Sequence, residues 1–280
     1  MHNHLIRLAC VALVFMASSC ERFATDHPDT AALTVVPDWN GCGGAVLENG
    51  YGWTVRIGDD YSNVEHGGIH TADRTFAPGD YTVTVYSQNS MDEPLFDIGD
   101  GTVSQEIHSG GYEHGLSRYV DGCSHDFYIG SADVSLAADS EQTVSVPMKK
   151  ITRELDIVLN LPDESDFMLE RAEGYLLAAY AEYDIIRDKA GMPTPLRITF
   201  VPGQWKAEYH VLGISSGADT ILWSFVFSDC SSGEIHKVYV NDNIQFILDD
   251  FNFEDNAYPF TLTRTVGAHM GSDGLEVSVR

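Results

Sequence analysis

The chain has 280 residues, with 42 acidic residues against 16 Lys and Arg and a formal net charge of −26. A surface this acidic repels nucleic acid and anionic membrane surfaces, so the charge argues against both as partners. Beyond the N-terminal segment no stretch is apolar for ~18 residues, so the sequence predicts no membrane-spanning helix.

The N-terminal segment predicts a secretory signal that ends in a lipid attachment site. Arg7 precedes an apolar run over 8–16, which is too short to span a bilayer but is typical of a signal-peptide core. The small residues Ala-Ser-Ser then lead into Cys20, as in the lipobox of a lipoprotein. We therefore expect residues 1–19 to be removed as a lipoprotein signal peptide and Cys20 to carry the lipid anchor. An ordinary secretory signal that ends in a cysteine is the alternative.

Three cysteines remain after the signal peptide and the lipidated residue are set aside. Cys42 and Cys123 both lie in turn-like contexts of the first half, where a disulfide between them is one interpretation. Two reduced thiols are the other interpretation. Cys230 has no cysteine to pair with in its own half.

The first half of the mature chain has the pattern of short strands. Residues 20–30 are polar and without periodicity, which predicts a tether. Apolar and polar residues then alternate in short stretches between Gly, Asp, Asn and Ser clusters, as in strands separated by turns. Residues 87–125 are rich in Gly, His and Asp and predict long surface loops. The predicted strands are 33–36, 53–57, 81–86, 126–129 and 143–148.

The stretch 146–161 predicts the joint between two domains. Its apolar residues alternate on both sides of a basic turn at Lys149 and Lys150, so one strand ends there and another begins. We expect an N-terminal β-sandwich domain over 31–148 and a C-terminal β-sandwich domain over 149–280. A single large sandwich is the alternative.

The second half repeats the pattern of short strands. Residues 174–183 contain alanines that favour a helix by propensity, but we interpret 174–180 as a strand. A short helix or turn is predicted at 163–173. Many short strands with turn residues between them indicate an all-β fold, here two tandem sandwiches. The remaining predicted strands are 154–161, 196–200, 208–212, 221–227, 237–240, 244–248, 260–264 and 275–279.

The order of these features resembles a known family. The lipobox, the turn-plus-strand sequence APGDYTVTVYSQN, the junction MKKITRELDIVLNL and the later stretches AEGYLLAAYAEYDI and EIHKVYVNDNIQF are similar to the fimbrillin-associated anchor lipoproteins of type V fimbriae. The resemblance covers nearly the whole mature chain, but it consists of patterns rather than invariant motifs. It implies two transthyretin-like β-sandwich domains and an outer-membrane lipid anchor. It further implies fimbrial subunits (pilins) as partners, no enzyme activity and no cofactor.

Two apparent motifs carry weak chemical signals. Residues 213–217 match G-x-S-x-G, but a hydrolase elbow requires a helix after the serine and a strand is predicted at 221–227 instead. The set His108, His114, His125 and Cys123 has no compact metal-ligand spacing, so we expect solvated loop residues and no metal site.

Further candidate ligands for a metal are equally weak. Gly67 and Gly68 separate His66 from His70 and argue against a helical metal pair. The acidic pairs lack the spacing of an EF-hand loop, although weak loop calcium sites are compatible with them.

Two function hypotheses follow from the sequence. One is an anchor or minor structural subunit of a fimbria, which would hold partner subunits by β-strand addition, with the terminal alternating stretch 275–279 as one candidate strand. The other is a surface lipoprotein that binds a glycan or host ligand through exposed aromatic residues. We expect no enzyme activity in either case.

Overall fold

The computed structural model describes residues 30–42, 53–64, 68–72, 75–87, 96–98, 101–162, 165–216, 219–244 and 259–280. The predicted signal peptide, Cys20 and nearly all of the predicted tether lie outside the described residues. The described part consists almost entirely of β-strands, which confirms the predicted all-β fold class. Its helical segments are two short 3₁₀ turns, Asn40–Cys42 and Tyr112–His114. No helix among the described residues is long and apolar enough to cross a membrane.

The strands are numbered in chain order. They are β1 (Ala32–Asp38), β2 (Trp53–Ile57), β3 (Asp60–Val64), β4 (His70–Thr71), β5 (Gly79–Ser87), β6 (Phe96–Ile98), β7 (Thr102–Gln105), β8 (His108–Ser109), β9 (Arg118–Tyr119), β10 (Tyr128–Leu136), β11 (Glu141–Pro147), β12 (Lys149–Lys150), β13 (Arg153–Asn160), β14 (Phe167–Asp184), β15 (Lys189–Thr199), β16 (Lys206–Val211), β17 (Thr220–Asp229), β18 (Ile235–Asn243), β19 (Phe260–Gly271) and β20 (Gly274–Val279).

The first half forms a sandwich of two sheets. The three-stranded sheet has the order β11-β1-β4 and the five-stranded sheet the order β12-β10-β5-β2-β3. Leu33 and Val35 alternate on β1, as Val83 and Val85 do on β5, and all four side chains are completely buried in one shared core. Period-two alternation therefore supplies the inner face of each sheet, as the sequence predicts.

The second half forms a larger sandwich. A four-stranded sheet, β16-β13-β19-β20, faces a six-stranded sheet, β18-β17-β14-β7-β6, in which β15 also pairs with β14. Trp223 and Phe225 of β17 and Ile157 of β13 are among the buried residues of the common core. Gly174 on β14 lies directly under Trp223, where an added Cβ would stand 2.5 Å from the indole ring. A side chain at that position is excluded by the packing.

The structure corrects two expectations about local structure. Residues 163–173 were expected to form a short helix or turn, but β14 begins at Phe167 and continues through the predicted strand 174–180. Long pairings with β17 on one side and β15 on the other override the helical propensity of its alanines. The loops expected over 87–125 contain the short strands β6 to β9. Strands of two to four residues are too short for alternation to reveal them.

Strands β6 and β7, which lie in the region 87–125 that was expected to form loops, connect the two halves. Strand β7 pairs with Glu182–Asp184 of β14 and so adds two strands of the first half to a sheet of the second. A small core between them includes Val103, Phe127, Ile151 and Tyr183. The division into domains 31–148 and 149–280 stays a prediction, with the β6–β7 pair crossing it.

Candidate functional site

The C-terminal strand lies at an edge of the four-stranded sheet. β20 forms a hairpin with β19, running from the pair Gly271–Gly274 to the pair Val266–Val279. Among the described residues β19 is its only hydrogen-bonded neighbour, so its other side is an open edge. The predicted strand 275–279 is confirmed, and it occupies the position at which another strand can be added.

The register shows which backbone groups point to this open edge. Thr265 and Arg280 exchange both backbone hydrogen bonds, at 2.8 and 3.0 Å. In an antiparallel pair the hydrogen-bonded positions alternate with positions whose N–H and C=O groups point away from the partner. Counting back along β20, the backbone groups of Leu275, Val277 and Val279 therefore point outward. Three N–H donors and three C=O acceptors face the open edge in a row.

The side chains of the same three residues point inward. Leu275, Val277 and Val279 are partly buried and pack against the core of the second sandwich. On the opposite face, Glu276 lies 3.2 Å from His269 of β19, measured between Oε2 and Nε2, and both side chains are exposed. Apolar contacts therefore fix the edge in place, and no strand in the described part of the chain pairs with its outward backbone groups.

A buried ion pair joins the two sheets on this side of the sandwich. Arg264 of β19 donates to Asp242 of β18 through Nε, at 2.8 Å, and through Nη2. Trp223 Nε1 also donates to the Asp242 carboxylate, at 3.3 Å. The two charged side chains are only 4% and 3% exposed. This contact holds β18 and β19 together through side chains, so it uses none of the backbone groups at the edge.

The other side of the same sandwich is closed by main-chain pairing. Val120 donates its N–H to Pro195 and accepts from the N–H of Arg197, both at 2.8 Å, and so pairs with β15. Three residues later Cys123 exchanges two backbone bonds of 2.9 and 2.7 Å with His210 of β16. A single crossing segment thus covers the edges of both sheets.

The crossing segment depends on a glycine. Gly122 has φ +68°, a left-handed conformation that glycine adopts without steric cost. An added Cβ there would also approach Leu196 to 3.1 Å and Tyr209 to 3.2 Å. The left-handed conformation and the close approach of neighbouring side chains together explain why a glycine lies between Val120 and Cys123.

A polar network continues from this closed side into the junction. His210 Nδ1 lies 2.9 Å from Asp126 Oδ1, Lys150 lies 3.4 Å from the other carboxylate oxygen, and Thr152 donates to the carboxylate at 3.1 Å. Burial would raise the pKa of Asp126, but the bond from His210 and the charge of Lys150 outweigh it and hold that pKa below its usual value. Burial likewise opposes the charge on His210, yet its contacts with Asp126 raise its pKa. The basic turn predicted at Lys149 and Lys150 is instead the short strand β12, because both residues pair with β10, and Lys150 also contacts Asp126.

The cysteines lie apart in this arrangement. Cys42 is a thiol that donates to the carbonyl oxygen of Met148 at 3.1 Å, and burial followed by the charge of Asp38 raises its pKa to about 11. Cys123 donates its thiol to the carbonyl oxygen of His210 at 3.0 Å. The structure therefore has both as reduced thiols, because one belongs to the first sandwich and the other to the crossing segment of the second. Cys230 is an exposed thiol.

The remaining sequence candidates are placed as follows. Of the G-x-S-x-G match, Gly213–Ser216 are described and Gly217 lies outside the described residues. The next element in the chain is strand β17, as predicted, and not a helix. His108 pairs with Asp121, with Nε2 3.3 Å from Oδ2, whereas His114 packs against tyrosine rings. The histidine set is thus not brought together around one point. His66 lies outside the described residues.

One acidic cluster escaped the sequence analysis. Ligand oxygens of Glu154, Asp156 and Glu208 lie within 4.8 Å of one another because β13 pairs with β16. Lys206 lies 3.1 Å from Asp156 and compensates part of this charge. Glu208 is about fifty residues from Glu154 and Asp156 in sequence, so no local spacing could reveal the cluster.

Comparison with known proteins gives a likeness of fold. No family model matches the chain, and no curated protein matches it. Among solved structures, the chain is similar to a candidate adhesin from Bacteroides ovatus, with a TM-score of 0.51 and 14% identity over 89% of this chain and 92% of that one. It is also similar to the fimbrial anchor protein Mfa2 from Porphyromonas gingivalis, with a TM-score of 0.44 and 12% identity over 90% of this chain and 97% of that one. The first likeness shows a shared fold, and the second superposes too loosely to add to it.

Proposed function

We propose that this chain is a lipid-anchored surface protein that holds subunits of a fimbria by β-strand addition. Lipid on Cys20 would fix it to the outer membrane, and the open edge of β20 would pair with a strand of a partner subunit. The chain would act as an anchor or minor structural subunit and not as an enzyme.

The orientation of the β20 backbone carries this proposal. The alternate residues Leu275, Val277 and Val279 offer the backbone donors and acceptors that an added strand needs. Their side chains pack against the core and keep the edge in place. Strand addition uses main-chain hydrogen bonds for affinity, and alternate side chains of the added strand supply specificity. The edge also lacks proline, a residue that commonly protects exposed edges, within Gly274–Val279.

Two further observations support a surface role. The fold is shared with the Bacteroides ovatus protein described as a candidate adhesin. The N-terminal sequence, with small residues before Cys20, predicts a lipid anchor at the end of the chain opposite to β20.

A proline substitution at the edge tests the proposal. Val277→Pro removes one outward N–H and places a ring at the edge, a position at which strands tolerate proline. We expect fimbriae to pass from the cell fraction to the medium while the melting temperature of the purified protein falls by only a few degrees. Val277→Ala is the matched control, because it shortens the same side chain but keeps the N–H, and it should retain fimbriae.

Ser278→Pro separates edge binding from folding. The Ser278 N–H points toward β19, so its loss should break the hairpin and lower both stability and fimbrial retention. Normal retention with Val277→Pro would contradict strand addition at β20. Normal assembly and retention in cells that lack the whole chain would contradict the anchor role itself.

A further inference from the structure

A pocket lies on the outer face of the six-stranded sheet, away from the β20 edge. The turn Tyr112–His114 covers the sheet there and leaves a cavity of about 260 Å³ between itself and residues of β14 and β17. Arg171, Glu173 and Ser224 line the sheet side of this cavity. Glu173 is paired directly with Ser224, and Ser224 with Tyr239 of β18, so the floor is a row across three strands.

The turn is held in one position by its own backbone. Gly111 and Gly115 flank it with φ of 74° and 73°, both in the left-handed region. The carbonyl oxygen of Gly111 accepts bonds from His114 at 2.9 Å and from Leu116 at 3.0 Å. An added Cβ at Gly111 would lie 2.9 Å from Leu116 Cβ. A substitution there would therefore open the turn.

The turn connects β8 and β9, which pair with each other as a hairpin, and this hairpin is fixed to β15. Arg197 donates to both carboxylate oxygens of Asp121, at 2.8 and 3.0 Å, and to the hydroxyl of Tyr119 at 3.0 Å. Its guanidinium carbon also lies 4.6 Å from the centre of the Tyr119 ring. A bidentate pair of this kind fixes orientation as well as distance.

The tip of the turn is fixed to β18 and β14. Glu113 accepts from Tyr239 at 3.0 Å and from Lys237. The His114 ring lies 5.3 Å from the Tyr239 ring and 5.4 Å from that of Tyr175. The pocket is thus preformed, which reduces the entropy lost when a ligand binds.

The chemistry of the lining indicates a neutral, hydroxyl-rich ligand. Arg171 of the lining, together with Lys237, which lies beside the pocket and donates to Glu113, balances the carboxylates of Glu113 and Glu173, so the site has little net charge on a chain of −26. Oε1 of Glu173 accepts from the Tyr175 hydroxyl at 2.8 Å, so the second oxygen of that carboxylate and the Arg171 guanidinium are the groups that can bind ligand hydroxyls. Tyr112, at the rim, is 72% exposed and offers a ring face to solvent. An exposed aromatic ring beside such polar groups suits the apolar face of a sugar ring.

We propose that this pocket binds one neutral pyranose residue, stacked on Tyr112 and hydrogen-bonded by Glu173 and Arg171. Such a site would give the chain a glycan-binding activity separate from strand addition at β20. A terminal sugar of a surface glycan has the size and polarity that the pocket accepts.

Titration of the full-length mature protein with simple sugars tests this proposal. The probes are the methyl pyranosides of glucose, galactose, mannose and N-acetylglucosamine, followed by NMR chemical shifts or saturation transfer. We expect at least one of them to bind with a Kd of ~1 mM or tighter. Methyl glucuronide, which adds a negative charge, should bind more weakly than the corresponding neutral glucoside.

Two variants localise the binding. Tyr112→Ala should weaken it by about tenfold or more without lowering the melting temperature, since the side chain is largely exposed. Ile235→Ala, at a site that is also 60% exposed but lies outside the pocket, is the matched control and should bind as the wild type does. No binding by any pyranoside, or equal binding by Tyr112→Ala, would overturn the proposal. Glu173→Gln should also weaken binding, and an unchanged affinity would overturn the role given to Glu173.

Discussion

The two sides of the second sandwich are joined in different ways. On one side, Val120 and Cys123 pair through their backbones with β15 and β16, so the edges of both sheets are covered. On the other side, the Arg264–Asp242 ion pair connects β19 to β18 through side chains. There the outward backbone groups of β20 have no strand partner among the described residues.

A sandwich can thus be closed on one side without covering the edge of a sheet there. Main-chain pairing protects a sheet but consumes the donors and acceptors that a partner would need. A buried ion pair supplies the inter-sheet contact without using those groups. The side on which the two sheets are joined by side chains is therefore the side at which we propose that a partner strand adds.

The largest effect is expected from the ion pair. Asp242→Asn keeps the shape of the side chain but removes the buried negative charge that Arg264 contacts, which should cost about 3 kcal/mol or more of unfolding free energy. Urea unfolding measures this change. Asp219→Asn, the same substitution at an exposed residue, is the control and should shift stability by less than ~0.5 kcal/mol.

A double variant sharpens the same prediction. Replacing Asp242 with Leu and Arg264 with Met removes both charges, and a buried pair replaced by apolar residues is often tolerated. We expect the double variant to be more stable than Asp242→Asn. A double variant that is less stable than Asp242→Asn would contradict this expectation and would mean that apolar side chains cannot replace the contact between the two sheets.

A smaller effect, dependent on pH, is expected on the closed side. Asp126→Asn removes the charge that pairs with His210 and Lys150, and hydrogen bonds to charged groups contribute about 1.5–3 kcal/mol. The Asp126 side chain is 22% exposed and that of His210 is 8% exposed, so solvent screens the contact only in part. We expect a loss near the lower end of this range.

The two pKa shifts fix the pH range of that loss. The pKa of Asp126 lies below its ordinary value of 3.8, so its contribution is complete above 3.8 and disappears as the pH falls through the folded-state pKa. The pKa of His210 lies above its ordinary value of 6.5, so its contribution is complete below 6.5 and is lost as the pH rises through the folded-state pKa. The difference in unfolding free energy between the wild type and Asp126→Asn should therefore be largest between pH 3.8 and pH 6.5 and smaller on either side of that interval. A difference that does not vary with pH would contradict the proposed pairing.

The regular strands could be predicted from sequence because alternation is a local property. The stretches 53–57 and 221–227 were placed correctly since each carries its own period-two pattern. The short strands β6 to β9 were missed because two to four residues hold no readable period. Helical propensity made 174–183 ambiguous, and only the pairing of β14 with its neighbours decides its conformation.

The sites were harder to predict than the strands. The alternation of 275–279 identified a terminal strand, but its edge position depends on where β13 and β19 lie. The partners Arg264 and Asp242 are close only because β18 and β19 belong to facing sheets. The pocket under Tyr112 likewise combines a loop of the first half with strands of the second. Contacts between distant parts of the chain leave no spacing signal in one sequence.

The smallest effect is expected at the open edge itself. Glu276 and His269 contact each other across the β19–β20 hairpin, but their side chains are 60% and 68% exposed. Exposed pairs contribute little because water and salt screen them, so Glu276→Gln should change the unfolding free energy by less than ~1 kcal/mol. Added salt should reduce that change further, whereas the loss from Asp242→Asn should persist in salt because the pair is buried. Urea unfolding of both variants at low and high salt measures the contrast. If Glu276→Gln were as costly as Asp242→Asn, β20 would depend on surface charge for its position, and its apolar side chains would not suffice to keep the edge in place for a partner strand.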